Sequence, residues 1–198
     1  TVINMRDLNL LIGSGGVLSH APRRSQAAML LIDSFLPEGV TMLAVDSIFM
    51  MPQLGVLSEV LPRAATEVFD KDCLIRLGSC VAPAGTGRDG QQAAALTMHM
   101  SDGKSREISI EFGRMQVIPL GVGEKARTVI RPAKGVDVGA GPGKHLEVDL
   151  EGGVVGVVLD GRGRPFVLPQ SDSERVKKLQ EWATALSAYP DKFLSLGR

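Results

Sequence analysis

The residues best placed for chemistry are four in a row, Gly13-Ser14-Gly15-Gly16. The mostly apolar run Leu8 to Ile12 before them reads as a buried strand, and Pro22 after them can open a helix. Glycines between a strand and a helix let a ligand approach the backbone closely, and the amides of such a turn can hold anions. The competing reading is a structural strand-to-helix turn. Ser14 is not a nucleophile-elbow serine, because Ile12 stands where that pattern needs glycine. Asp46 ends a second short apolar run, Met42 to Val45, where α/β proteins place functional groups. The competing reading is a helix or turn cap formed with Ser47.

Other motifs fail on context. Gly85-Thr86-Gly87-Arg88-Asp89-Gly90 matches G-x-G-x-x-G, but the chain then leads into the alternating segment Leu96 to Met100, a strand and not a helix. A loop is the better reading. Gly139-Ala140-Gly141-Pro142-Gly143-Lys144-His145 resembles a phosphate loop, but Val138 stands at the first glycine and His145 where Ser or Thr should hold magnesium. Pro142 also lacks the N–H a phosphate would need. His20, His99 and His145 lie far apart and share no ligand spacing with Cys73 or Cys80, so no metal site is expected.

The elements that must position the first block alternate strand, helix, strand, helix. Ala27, Ala28, Leu31, Ile32 and Phe35 mark one helix face, and Val56, Leu57, Val60 and Leu61 mark the next helix. This order argues for parallel strands in an α/β sheet. Two strands make no stable sheet, so the remainder is expected from missing chain or from a partner, self-association through the exposed α/β face included. From about Cys73 the period becomes two. Leu96 to Met100 and Ile108 to Phe112 flank the turn Asp102-Gly103, and Leu146 to Glu151 alternates cleanly. Val154 to Leu159 is apolar on both faces, and Phe166 to Leu168 is expected as a last strand. Ser171 and Glu174 form a capping-box pattern ahead of a helix bearing Val176, Leu179, Trp182, Ala183 and Leu186. The reading is α/β in residues 1–72, a β-rich barrel or sandwich in 73–168, and a helix and tail in 169–198, the helix packing back on one of the two.

Composition bounds the function. The chain has 198 residues, 22 Lys+Arg against 22 Asp+Glu, and a formal net charge of zero. That balance argues against nucleic acid and membrane surfaces, which select a basic excess. No apolar run approaches the roughly 20 residues of a membrane helix. Two cysteines make no disulfide framework and, with 8 Met, suit a reducing cytoplasm. The chain opens at Thr1 without a Met and reads as the middle of a longer protein.

Leu11-Ile12-Gly13-Ser14-Gly15-Gly16-Val17-Leu18-Ser19-His20-Ala21-Pro22, with Ala44-Val45-Asp46-Ser47 and Met50-Met51-Pro52-Gln53-Leu54-Gly55, resembles the glutamate mutase accessory proteins of the MutL type. Gly152-Gly153 to Arg162-Gly163-Arg164-Pro165 is similar to that family's C-terminal region. The family belongs to the superfamily of acetate and sugar kinases, heat-shock chaperones and actin. The resemblance implies the end of an actin-like, ribonuclease-H-like ATPase domain. In that superfamily ATP is clamped between two such domains, and a late glycine motif touches the adenosine. By position and context Gly13, Ser14, Gly15 and Gly16 match that motif. The Asp-containing phosphate hairpins that come earlier in the superfamily have no counterpart here, so half a nucleotide site is expected, with no catalysis by this chain alone.

The implied role is a chaperone-like or reactivating ATPase component serving an adenosylcobalamin-dependent mutase. Contact with cobalamin would run through that partner, because no Asp-x-His-x-x-Gly motif is present. A kinase-like phosphotransferase and a non-catalytic interaction module are the alternatives. Arg88, Lys144, Arg162 and Arg164 lie in or near glycine-rich loops and are expected either as a basic docking surface for the mutase or as solvated loop charges.

Overall fold

The apolar runs that flank the glycine turn become neighbouring strands. In the computed structural model, which describes residues 4–190, β1 (Leu10–Gly13) runs parallel to β2 (Gly39–Asp46), with Leu10 opposite Met42 and Gly13 opposite Val45. Both strands therefore end at the same edge, and their loops meet there. Between them the chain makes one turn of helix, α1 (Gly16–Ser19), and then α2 (Arg24–Phe35). Ala27, Ala28, Leu31 and Ile32 of α2 are buried at the expected spacing, whereas Phe35 stays half exposed. Pro22 lies just outside α2; the Arg23 N–H is taken by the Gln26 side chain instead. Leu36 closes the helix in the left-handed conformation, its N–H donating to Ile32.

The sheet begun by β1 and β2 is completed from within the chain, which corrects the expectation that its other strands come from elsewhere. β3 (Leu74–Ala82) pairs antiparallel to β2, β9 (Val157–Asp160) pairs parallel to β3, and β6 (Met115–Ile118) pairs antiparallel to β9. The order is β1-β2-β3-β9-β6. β3 and β9 are apolar on both faces, which suits strands covered from both sides. Cys80, Ala82 and Val158 face a core made with α2 and α5 (Asp172–Ala185), and Val81, Val157 and Leu159 face the opposite side. The break placed between residues 72 and 73 falls just ahead of β3, a strand of this same sheet.

Four strands with a single apolar face form the second sheet. β4 (Gln92–Met100), β5 (Ser105–Glu111), β7 (Lys125–Pro132) and β8 (Leu146–Glu151) are antiparallel in the order β5-β4-β7-β8. Leu96, Met98, Ile110, Ala126, Ile130 and Leu150 point inward onto Val81, Val157 and Leu159 of the first sheet. Neither sheet closes on itself among the described residues, so the barrel alternative is corrected. A one-faced sheet buries its apolar side against the five-stranded sheet, which leaves no reason to curl shut. Phe166 to Leu168 forms no strand, and Phe166 instead packs its ring against Trp182 at 5.7 Å between centroids. On α5, Trp182 and Ala183 are buried, while Val176 and Leu179 remain partly exposed. Ser171 precedes the helix but makes no side-chain cap; its hydroxyl meets that of Ser173. The tail beyond residue 190 lies outside the described residues.

Candidate functional site

Gly13, Ser14, Gly15 and Gly16 leave the end of β1 and turn into α1. The four positions differ physically. Gly13 is buried, and a Cβ there would stand 2.6 Å from Leu18 Cδ1 and 2.9 Å from Leu31 Cδ2. Its missing side chain is thus explained by packing against α1 and α2. Gly15 has φ +106°, a conformation that L side chains rarely adopt, and Gly16 is exposed. A Cβ on either would meet nothing within 4 Å. The outer half of the turn therefore leaves backbone surface that no atom of the described residues fills.

Ser14 is tied to Asp46 across the strand ends. Its hydroxyl donates to Asp46 Oδ2 at 3.2 Å. Asp46 has no exposed surface, yet its carboxylate is fully engaged: Met51 N–H donates to Oδ2 at 2.9 Å and Met50 N–H to Oδ1 at 3.1 Å. Burial pushes this carboxyl up, but the N–H groups of Met51 and Met50, the Ser14 hydroxyl and the Ile48 N–H together hold it below the ordinary range. Ser19 of α1 donates to the Asp46 carbonyl at 2.5 Å. The carboxylate thus joins the glycine turn to the start of α3 (Met51–Ser58). Ser47 does not cap Asp46 but donates through both its N–H and its hydroxyl to the Cys73 carbonyl.

The segment that Asp46 anchors is unusually apolar for a surface. Glu59 is the single charged residue between Ser47 and Leu61. Phe49 is half exposed with φ +57°, a strained backbone for a bulky side chain. Val56 on α3 is 75% exposed, and Val60, just before α4 (Pro62–Val68), is 78% exposed. The single helix expected through Val56, Leu57, Val60 and Leu61 is corrected: α3 ends at Ser58, and Val60 and Leu61 lie in the turn ahead of Pro62, which opens α4.

The remaining motifs resolve into structure. In the Gly139–Gly143 loop, Asp137 Oδ1 accepts the N–H groups of Gly139 and Gly141 at 2.8 and 2.9 Å, so a carboxylate already takes the amides a phosphate would need. Arg6 holds the other oxygen at 2.8 Å. In the Gly85–Gly90 loop a Cβ on Gly87 would strike the Phe112 ring at 2.2 Å, and no helix comes after it. Arg162 and Arg164 do not form a docking surface with Arg88 and Lys144. Their side chains are 1% and 3% exposed, whereas Arg88 and Lys144 face solvent. Arg162 grips Asp160 through Nε at 2.8 Å and Asp33 through Nη1 at 2.7 Å, with its guanidinium over the Phe166 and Trp182 rings. Arg164 bonds Asp160 Oδ2 at 2.9 Å and the Pro37 carbonyl at 3.2 Å. The two β9-proximal arginines are internal struts between the strand and the end of α2.

Among the described residues no group of three His, Cys, Asp or Glu side chains is arranged to hold a metal, and no helix is long and apolar enough to cross a membrane. Cys73 and Cys80 are free and buried, and burial pushes both thiols up. A cleft of about 670 Å³ opens between α5 and the 165–170 segment, lined by Phe112, Trp182 and Glu181, with no residue of the glycine turn among its walls. No curated protein and no solved structure matches the chain. Residues 3–73, which contain β1, the glycine turn, Asp46 and the apolar α3–α4 segment, match the model of the MutL protein family.

Proposed function

We propose that the chain is part of an accessory protein for an adenosylcobalamin-dependent mutase of the glutamate mutase type, acting as a chaperone-like, nucleotide-responsive component. The observation that carries this reading is the family match over residues 3–73. The glycine turn supplies its nucleotide half-site: Gly15 and Gly16 offer open backbone, Ser14 offers an exposed hydroxyl, and Gly13 keeps the turn close to α2. ATP would bring its own phosphates and charge; this chain would contribute close backbone approach and a single hydrogen-bond donor. No residues of the described chain form a phosphate-binding loop, so the chain by itself is proposed to be inactive as an ATPase. The exposed apolar side chains of the α3–α4 segment favour a second reading, a protein-interaction module in which the glycine turn is structural. Self-association through the terminal strand β1 belongs to the same proposal.

The experiment is calorimetry of the full-length protein with ATP, beside co-purification with its mutase. Gly16→Val is the informative variant, because a Cβ there meets no atom of the described residues within 4 Å. ATP affinity is expected to fall at least about tenfold, the scale of a lost close approach worth about 1.4 kcal/mol. Unchanged affinity in the variant returns the turn to a structural role and favours the interaction module.

A further inference from the structure

We propose that Asp46 is a positioning residue that couples the glycine turn to the apolar α3–α4 segment, through the single proton that the Ser14 hydroxyl can donate. The identity of the ligand rests on the nucleotide reading above; the coupling itself rests on geometry.

A serine hydroxyl has one O–H to give. Here it goes to Asp46 Oδ2 at 3.2 Å, where it shares that oxygen with the Met51 N–H at 2.9 Å. A ligand seated on the open face of Gly15 and Gly16 and presenting an oxygen acceptor to the exposed Ser14 competes for that same proton. When the ligand takes it, one of the groups that fix the buried carboxylate is lost. What remains is held by backbone N–H groups of the apolar segment, those of Met50 and Met51 at its entry into α3 and that of Ile48. A carboxylate freed on one side can turn, and the start of α3 turns with it.

A plain helix cap explains the bonds to Met50 and Met51 but gives no part to Ser14. The strain at Phe49 lies within the tethered loop, between Asp46 and the amides it holds. That is where a two-state element would store bias. Among the described residues α3 and α4 pack chiefly on each other and leave their apolar side chains open, so a shift there disturbs little of the core.

The test is amide hydrogen exchange at Met50 and Met51 in the full-length protein, with and without magnesium ATP, in the natural protein, Ser14→Ala and Ser14→Thr. ATP is expected to speed exchange at these amides about fivefold, the worth of one hydrogen bond near 1 kcal/mol. Ser14→Ala is expected to show that faster exchange before any ATP is added and no further change after it. Ser14→Thr, which keeps the hydroxyl, is expected to respond as the natural protein does. Equal exchange in ligand-free Ser14→Ala and natural protein overturns the coupling, as does an ATP response of the same size in Ser14→Ala. If calorimetry shows no ATP binding while Ser14→Ala still exchanges faster, the coupling stands and the nucleotide reading falls.

Discussion

At the scale of the residue, Gly13 and Gly16 look alike in the sequence and are opposites in the structure. Gly13 faces Leu18 and Leu31, and Gly16 faces no atom of the described residues. Gly13→Val is therefore expected to cost about 1–3 kcal/mol by overpacking, read as a lower urea midpoint, while Gly16→Val leaves that midpoint unchanged. If both variants unfold alike, the outer turn is packed as tightly as the inner one and the open surface is not there. The sequence shows the glycine block and the placing of Asp46 at a strand end, because both depend on neighbouring letters. The division of labour within the block is not legible, since Leu31 reaches Gly13 only once α2 has folded back. Arg162 and Arg164 are misread for the same reason. Their local context is a glycine-rich loop, and nothing near them announces that Asp33 and Pro37 lie across the fold.

For elements with one apolar face the sequence shows both the strand and the side it buries, whereas for elements apolar on both faces it shows the strand but not its neighbours. The alternation of Leu146 to Glu151 matches β8, and the Asp102-Gly103 turn joins β4 to β5 as expected. The run Val154 to Leu159 announces the burial of β9 but not the sheet that buries it, and β3, broken by Arg76, Gly78 and Ser79, has no run to announce it; these strands carry the first sheet beyond β2. Helix α5 is legible by its spacing, and its buried contact narrows to Trp182, Ala183 and Leu186. Trp182 also donates its indole N–H to the Gly113 carbonyl at 2.9 Å, which fastens the helix to the loop before β6. Trp182→Ala is expected to destabilise by about 3–5 kcal/mol. Because this is the single tryptophan of the chain, the loss is measured by circular dichroism in urea and not by fluorescence. A cost under about 1 kcal/mol would mean that α5 rests on the sheet without bracing it.

At the scale of the whole molecule, three carboxylates tie distant parts together: Asp46 joins the strand ends, Asp137 joins the Gly139–Gly143 loop to Arg6, and Asp160 joins β9 to Arg162 and Arg164. Burial pushes each carboxyl up, yet its hydrogen bonds and, for Asp137 and Asp160, the facing guanidinium hold it below the ordinary range. The unfolded chain therefore takes up these protons first. Their contribution is complete above the unfolded value of about 4 and is lost as pH falls through the folded values. The urea midpoint is expected to hold between about pH 7 and 5 and to drop steeply below about pH 4. A midpoint insensitive to that acidification would mean that these ties carry no net stability. The strand order has a consequence for synthesis. A ribosome delivers β1, α2, β2 and β3 well before β9, the strand that lies beside β3, and α5 emerges later still. Until then Leu31 and Ile32 lack the Trp182 side of their core, and Val81 lacks Leu159. Between the delivery of β3 and that of β9 the nascent chain carries an unfinished, sticky sheet, so its successful birth depends on slow, late closure and on shielding while it waits.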